Sequence, residues 1–183
     1  MTHHVYVVST EWGGSKGGIN VFNKSLVEAL ALVVRADVEV HAIVGNQASL
    51  PVSLGSLKKF STYDGSADSL VKTIEKDLSS LKAPPKSVAI IGHDVHTGPV
   101  AIEASNRLKL SSLNVQSAVF CHMDYAAYQR YKGTSIADIQ DKVQKQRKIV
   151  CDADIVYAVG PLLKGSFESL RNEGNAHTKI YGE

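Results

Sequence analysis

The sequence predicts an open α/β domain, a mostly parallel sheet with helices packed on both faces. Three observations carry that reading. Short β-branched apolar runs alternate with segments whose apolar residues recur at helical spacing. Glycine and proline mark most of the junctions between them. The chain has 183 residues, 44% apolar and 21% charged, which suits one ordinary globular domain over residues 1–183. Strands that alternate with helices form a parallel sheet, because a parallel pair needs a crossover long enough to hold a helix.

The elements follow in order. Val5-Tyr6-Val7-Val8 is a buried strand. After a glycine-rich turn, Ile19, Phe22, Leu26, Leu30 and Val33 form one face of an amphipathic helix. Val38 to Val44 is the second strand, closed by Gly45-Asn46, and Lys59 to Tyr63 is a third. Leu70, Val71, Ile74, Leu78 and Leu81 define a second helix, which Pro84-Pro85 stops. Ser87 to Gly92 is a buried strand. His93 to Thr97 is then a connection, and Gly98-Pro99 opens the next helix, with proline near the first turn, where its missing N–H costs little. Asp94 or Thr97 is the expected cap of that helix.

Val115 to Phe120 is a strand, and His122 to Thr134 reads as a loop or short helical insert. Ile136, Ile139, Val143 and Ile149-Val150 mark a further helix, whose exposed face carries Asp138/Lys142 and Asp141/Lys145, each four apart. Ile155 to Val159 is a strand, Gly160-Pro161 starts the last helix, and Lys179 to Tyr181 is a final short strand.

Composition narrows the function classes. A net charge of +2 gives no reason for nucleic acid or an anionic membrane as the main partner. No apolar run reaches the ~18 residues that a membrane span needs. Met1-Thr2-His3-His4 leads straight into a strand, so no signal peptide is expected and cytoplasmic location follows. Cys121 and Cys151 lie in separate elements without CxxC spacing, and reduced thiols are expected.

In open parallel sheets, ligands bind beyond the carboxyl ends of the strands. That rule selects residues 9–18, 45–47, 92–97, 121–131 and 160–161. The first segment, Ser9 to Asn20, joins a strand to a helix. Its glycines allow a tight turn, and the helix N-terminus favours an anion. It fits neither GxGxxG nor the P-loop, because Ser15-Lys16 fall where glycine is needed and Ile19-Asn20 follow Gly18. A flexible turn with a solvated Lys16 is the alternative.

Gly92-His93-Asp94-Val95-His96-Thr97 offers groups that suit sugar hydroxyls, which need paired donors and acceptors. His-x-x-His spacing also suits a metal, but no third ligand is near. His122-Met123-Asp124-Tyr125 with Tyr128, Arg130 and Tyr131 supplies flat rings with polar tips for sugar, or else packs back on the domain. Cys121 and His122 are strand neighbours pointing to opposite faces, which argues against a nucleophile–base pair. Gly160 either permits the turn or turns backbone N–H groups toward a cleft.

In this order the segments resemble the N-terminal domain of glycosyltransferases with two facing Rossmann-like domains. These are the retaining GT-B enzymes of the glycogen- and sucrose-synthase-like group, family 4. The carriers are Val7 to Trp12 with Gly17-Gly18-Ile19, Gly92-His93-Asp94 with Thr97-Gly98-Pro99, His122, and Ala153-Asp154-Ile155-Val156 with Gly160-Pro161. Two departures stand. The family lysine sits one residue further from the Gly-Gly pair than Lys16 does, and serine is common where Gly160 stands.

The resemblance implies transfer of a sugar from a nucleoside diphosphate sugar to a carbohydrate or other hydroxyl acceptor, without metal or cofactor. Gly17, Gly18 and Lys16 would meet the diphosphate. His122 would face the reacting sugar, and His93, Asp94, Thr97, Tyr125, Tyr128 and Arg130 would shape the acceptor pocket, with Gly160 nearby. A second, C-terminal domain absent from this chain would hold the nucleotide sugar, and the chain alone would be inactive. A stand-alone nucleotide- or sugar-phosphate-binding sensor is the alternative. A small oxidoreductase is disfavoured by the missing GxGxxG and by Val44-Gly45-Asn46-Gln47, which has no acid at the second strand's end.

Overall fold

The computed structural model describes residues 2–13, 17–45, 59–133, 135–174 and 176–182. Their order is β1 (His3–Ser9), α1 (Gly18–Val33), β2 (Val38–Gly45), β3 (Lys59–Tyr63), α2 (Ala67–Ser79), β4 (Ser87–His93), α3 (Asp94–Lys109), β5 (Val115–Cys121), α4 (Tyr125–Tyr131), α5 (Ile136–Asp152), β6 (Ile155–Ala158), α6 (Pro161–Glu173) and β7 (Lys179–Tyr181). The strands form one seven-stranded sheet in the order β3-β2-β1-β4-β5-β6-β7. Every pairing is parallel. The strand order reverses direction between β1 and β4, and the predicted α/β class holds.

Side-chain alternation divides the core into two layers. Tyr6, Val8, Ile43 and Ile90 project toward α2 and α3, where they meet Leu70, Ile74 and Leu108. Further along that face, Val119, Val156 and Phe167 join β5 and β6 to α5 and α6. Val7, Val40 and Ala42 project the other way, onto Val27 of α1. Strands covered on both faces have no polar alternation, which is why β1 reads as a continuous apolar run.

Two helices open on serine caps. Ser66 accepts from Ser69 N–H at α2, and Ser135 from Asp138 N–H at α5. Among the described residues no helix is long and apolar enough to cross a membrane.

The start of the third helix and the buried face of the first depart from the sequence reading. The third helix begins at Asp94, so His93 to Thr97 is not a connection, and Pro99 lies inside the helix. Proline withholds only one N–H there, early in the helix, and α3 runs on to Lys109. The buried line of α1 is Asn20, Asn23, Val27 and Ala31, while Val33 is exposed. The expected face is thus rotated by one residue, because two asparagines continue the apolar stripe toward the helix start.

Asp154, in the Ala-Asp-Ile-Val segment, ties the lower edge of the sheet. It accepts from Ser117 N–H at 2.7 Å, from Ser117 Oγ at 3.0 Å and from Lys109 Nζ at 2.8 Å. Burial alone would raise its pKa, but the Lys109 and Ser117 bonds together hold it below the ordinary value. Its contribution is therefore present above the ordinary carboxylate range and is lost as pH falls through the lowered value. Asp154→Ala is expected to cost about 1–3 kcal/mol at pH 7 and much less at pH 2–3, as urea unfolding at both pH values would show.

Candidate functional site

A cavity of about 210 Å³ lies at the carboxyl ends of the strands, where the strand order reverses. Its walls come from the turn after β1 (Ser9, Thr10), the start of α1 (Gly17 to Asn20), the start of α3 (His93, His96, Thr97) and Met123 after β5. This is the place where doubly wound sheets bind ligands.

Gly17 is the N-cap of α1, with φ of 126° and no side-chain cap bond. That backbone conformation is strained for any residue with a Cβ. Gly17 offers no cap side chain, so among the described residues no side-chain oxygen caps the first-turn N–H groups of α1, the arrangement that helix N-termini offer to an anion. A Cβ added at Gly18 would meet nothing within 4 Å. Thr10 Oγ1 donates to Asn20 Oδ1 at 3.2 Å and so fastens the turn after β1 to this helix.

The opposite wall is held by Thr97. Its hydroxyl accepts from His93 N–H at 2.8 Å and donates to the Val8 carbonyl at 3.1 Å, joining the ends of β4 and β1. Gly92 allows this turn to close. A Cβ there would stand 2.6 Å from the Thr97 carbonyl oxygen and 2.9 Å from Gly98 Cα. Neither Thr97 nor Asp94 caps the helix through its side chain, as the sequence suggested. His93 is the N-cap and makes no side-chain cap bond. The Asp94 carboxyl reaches across instead and accepts from His122 N–H at 3.1 and 3.2 Å, fixing the chain as it leaves β5.

Behind the wall runs a chain of three side chains. Asn23 Oδ1 lies 2.8 Å from His93 Nε2, and His93 Nδ1 lies 3.3 Å from His122 Nε2. An amide oxygen only accepts, so His93 carries its proton on Nε2. Its Nδ1 then accepts from Nε2–H of His122. The remaining nitrogen of His122, Nδ1, is left with its lone pair. Phe22 packs edge-on to His122 at 4.5 Å between ring centres, and Phe120 stacks on His93 at 5.9 Å.

Burial sets the charges here. It pushes His93 down to about 3, helped by the neighbouring His122, and it lowers His122 as well. Both rings are neutral at pH 7. Burial pushes Asp94 up to about 7, against the His122 backbone bond that favours its ionised form. Burial also raises the Cys121 thiol, which sits in the core beside Val119 and Val156. It is not an available nucleophile.

The structure thus brings together Gly17, Gly18, His93, Asp94, Thr97 and His122. His93, Thr97 and the glycines line the cavity, while Asp94 and His122 lie outside its lining and are tied to it by the His122 N–H bond to Asp94 and by the His93–His122 contact. Tyr125 is buried, its hydroxyl without a hydrogen-bond partner among the described residues. Tyr128 is exposed on α4 with Lys132 over its ring. Gly160 is the N-cap of α6 at φ of 112°, outside the cavity lining. Arg130 lies in α4, its side chain outside the described part, and Lys16, Asn46 and Gln47 lie outside the described residues.

Both nitrogens of His93 are engaged, so it does not pair with His96 as a chelate. Asn23 was not singled out from sequence, and Thr10, Asn20 and His96 entered only as members of the segments after β1 and β4. The signal for the asparagines was present: they continue the three- and four-residue spacing of Val27 and Ala31.

Residues 6–181 match the family described as "Family 4 Glycosyltransferase in conflict systems". The chain belongs to that family. No curated protein matches its sequence. Among solved structures, sucrose-phosphate synthase from Thermosynechococcus elongatus is similar, with a TM-score of 0.61 at 12% identity, over 98% of this chain and 47% of that one. A UDP-glucosyltransferase from Polygonum tinctorium gives 0.57 at 12% identity, over 100% and 52% of the two chains. UGT2 of Phytolacca americana, complexed with UDP-2-fluoro-glucose and pterostilbene, gives 0.53 at 11% identity, over 98% and 52%. The chain therefore has the fold of a GT-B half-domain and spans about half the length of these structures.

The raised Asp94 pKa makes a signed prediction. Between its ordinary value of 3.8 and about 7, the folded state keeps a proton that the unfolded chain has lost. Stability therefore falls as pH rises through that window, and below it the penalty is absent. Asn tolerates the left-handed backbone of residue 94 (φ 42°) and still accepts from His122 N–H, but cannot ionise. Asp94→Asn is expected to match the parent chain at pH 4 and exceed it by up to about 4 kcal/mol at pH 8, measured by urea unfolding.

Proposed function

We propose that this chain forms the acceptor-side half of a retaining glycosyltransferase, which moves a sugar from a nucleoside diphosphate sugar to an acceptor hydroxyl. The observation that carries this reading is the meeting, at the strand-order reversal, of the uncapped N-terminus of α1 with the hydroxyl- and imidazole-lined start of α3. One wall suits a diphosphate and the other suits sugar hydroxyls. Family membership supports the transferase class.

As the bond between sugar and diphosphate breaks, negative charge grows on the departing oxygen. The N–H groups at Gly18 and Ile19 stabilise it without reorganising, because the helix already aims them. His122 stands outside the cavity lining but is partly exposed; neutral and held through Nε2, it leaves Nδ1 to accept a hydrogen bond from a sugar or acceptor hydroxyl that reaches past the cavity. His93 and Asn23 fix that orientation. His96, Thr97, Thr10 and Asn20 supply further donors and acceptors on the cavity wall.

The nucleotide itself needs a second Rossmann-like domain, which we place in the complete protein and outside this chain. No metal is required by the groups present, since the helix N-terminus takes the role of the cation. Which base, sugar and acceptor are used is set by that domain and by the cavity's shape.

The test is nucleoside diphosphate release by the complete protein over a panel of nucleoside diphosphate sugars, with hydroxyl acceptors added. Release is expected with one donor. His122→Ala is expected to lower turnover by roughly 10²–10⁴-fold. Gly18→Leu is expected to abolish turnover with an unchanged melting temperature, since its side chain enters open space toward the cavity. Normal turnover in Gly18→Leu would refute the diphosphate loop. No release from any donor, together with tight nucleotide binding by residues 1–183 alone, would favour a sensor.

A further inference from the structure

The far end of the sheet carries a second histidine pair, unrelated to the cavity. In the β1–β2 register His4 stands beside Glu39 and Tyr6 beside His41. All four side chains leave the same face of the sheet. That face is covered by α2, which contributes Asp77. His4 and His41 are buried, and Glu39 is partly exposed.

His4 Nδ1 lies 3.1 Å from His41 Nε2. The outer nitrogen of each ring has its own partner. Thr2 Oγ1 is 2.9 Å from His4 Nε2, and Asp77 Oδ2 is 3.2 Å from His41 Nδ1, an ion-pair distance without hydrogen-bond alignment. Asp77 is fixed in turn by Tyr6, whose hydroxyl donates to it at 2.8 Å. Glu39 Oε2 stands 3.9 Å from His41 Nε2. One ligand atom from each of His4, Glu39 and His41 lies within 4.8 Å of the others.

We propose that His4 Nδ1, His41 Nε2 and the Glu39 carboxylate bind a divalent cation of the zinc class, clamping the starts of β1 and β2 together. Two imidazoles and a carboxylate with one open position for water is a donor set that zinc accepts. Tetrahedral zinc with nitrogen at ~2.0–2.1 Å sets ligand atoms roughly 3.4 Å apart, so the two rings need to open by only a few tenths of an ångström. The outer contacts resemble those that metal-binding histidines use. The Asp77 carboxylate beside Nδ1 favours the proton there, which leaves the Nε2 lone pair facing inward. Glu39 and Asp77 together carry two negative charges beside a doubly charged ion. The exposed edge at Glu39 gives the ion its entry path.

The cluster also has an arrangement without an ion. Thr2 then donates to His4 Nε2, His4 Nδ1–H donates to His41 Nε2, and His41 Nδ1–H faces the Asp77 carboxylate at ion-pair distance. Cation binding moves the His4 proton from Nδ1 to Nε2, and the Thr2 hydroxyl turns to accept it. No proton is lost from either ring, so the ion-free domain folds and binding adds to an existing fold. His4 and the end of β1 are five residues apart, about 16 Å along the strand. The ion therefore takes no part in sugar chemistry and acts on stability.

Calorimetric titration of the purified chain with Zn²⁺ tests the site, with Co²⁺ absorption and thermal melting as independent readouts. One ion per chain at micromolar affinity or tighter is expected, with a rise in melting temperature and the intense visible bands of four-coordinate Co²⁺. Glu39→Gln lies at a partly exposed position and keeps the fold, checked by circular dichroism. It is expected to weaken binding at least about 10-fold and to abolish the thermal shift, as is His4→Gln. No saturable binding, or binding that both variants leave unchanged, would overturn the proposal and assign the ion to surface histidines.

Discussion

The Thr97 hydroxyl is the contact on which the upper end of the domain depends. One oxygen accepts from the last amide of β4 and donates to the carbonyl of Val8 in β1. Without it the two strands at the order reversal would end with unsatisfied buried backbone groups. Gly92 makes the contact possible, because only a residue without Cβ lets the first turn of α3 fold back over the strand it leaves. Once α3 starts at Asp94, His93 is forced into the core, and its two nitrogens must find partners there. They find Asn23 on α1 and His122 after β5. Three elements that share no sequence proximity are thereby held around one cavity.

The electrostatic consequence is a site rich in polar atoms but poor in charge. Burial keeps both histidines neutral and raises Asp94 toward neutrality. Such a wall hydrogen-bonds uncharged hydroxyls without the desolvation cost of fixed ions. The charge the proposed reaction must stabilise is met by the start of α1, where the dipole and N–H groups supply a positive end. The division of labour follows from the fold. Helices that begin at the upper ends of parallel strands bring their N-termini to the same place as the strand-end side chains.

Much of this was legible in the sequence. The strands announce themselves by β-branched runs, and their alternation with helices implied a mostly parallel sheet, while the order of the strands came only from the structure. The glycine turn before Ile19 and the polar ends of β4 and β5 pointed to the end of the sheet where the cavity lies. The start of α3 was misread because Pro99 resembles a first-turn proline, while the left-handed Asp94 that begins the helix leaves no mark in a sequence. Asn20 and Asn23 were not placed on the buried face because asparagine is ordinarily an exposed residue, although both sit in phase with Val27 and Ala31. The roles of Thr97 and Asp94 depend on partners 89 and 28 residues away, and the His4–His41 pair on a strand register. Such distances are set by topology, which a pattern of apolar residues specifies only in outline.

The central claim is that His122 is a neutral imidazole, held through Nε2–H by His93 and presenting a bare Nδ1. Long-range ¹H–¹⁵N correlation spectroscopy of the histidine rings at pH 7 reads this directly. The account predicts that His122 and His93 both appear as neutral rings protonated at Nε2 alone. An imidazolium at either residue, or a His122 protonated at Nδ1, would contradict it.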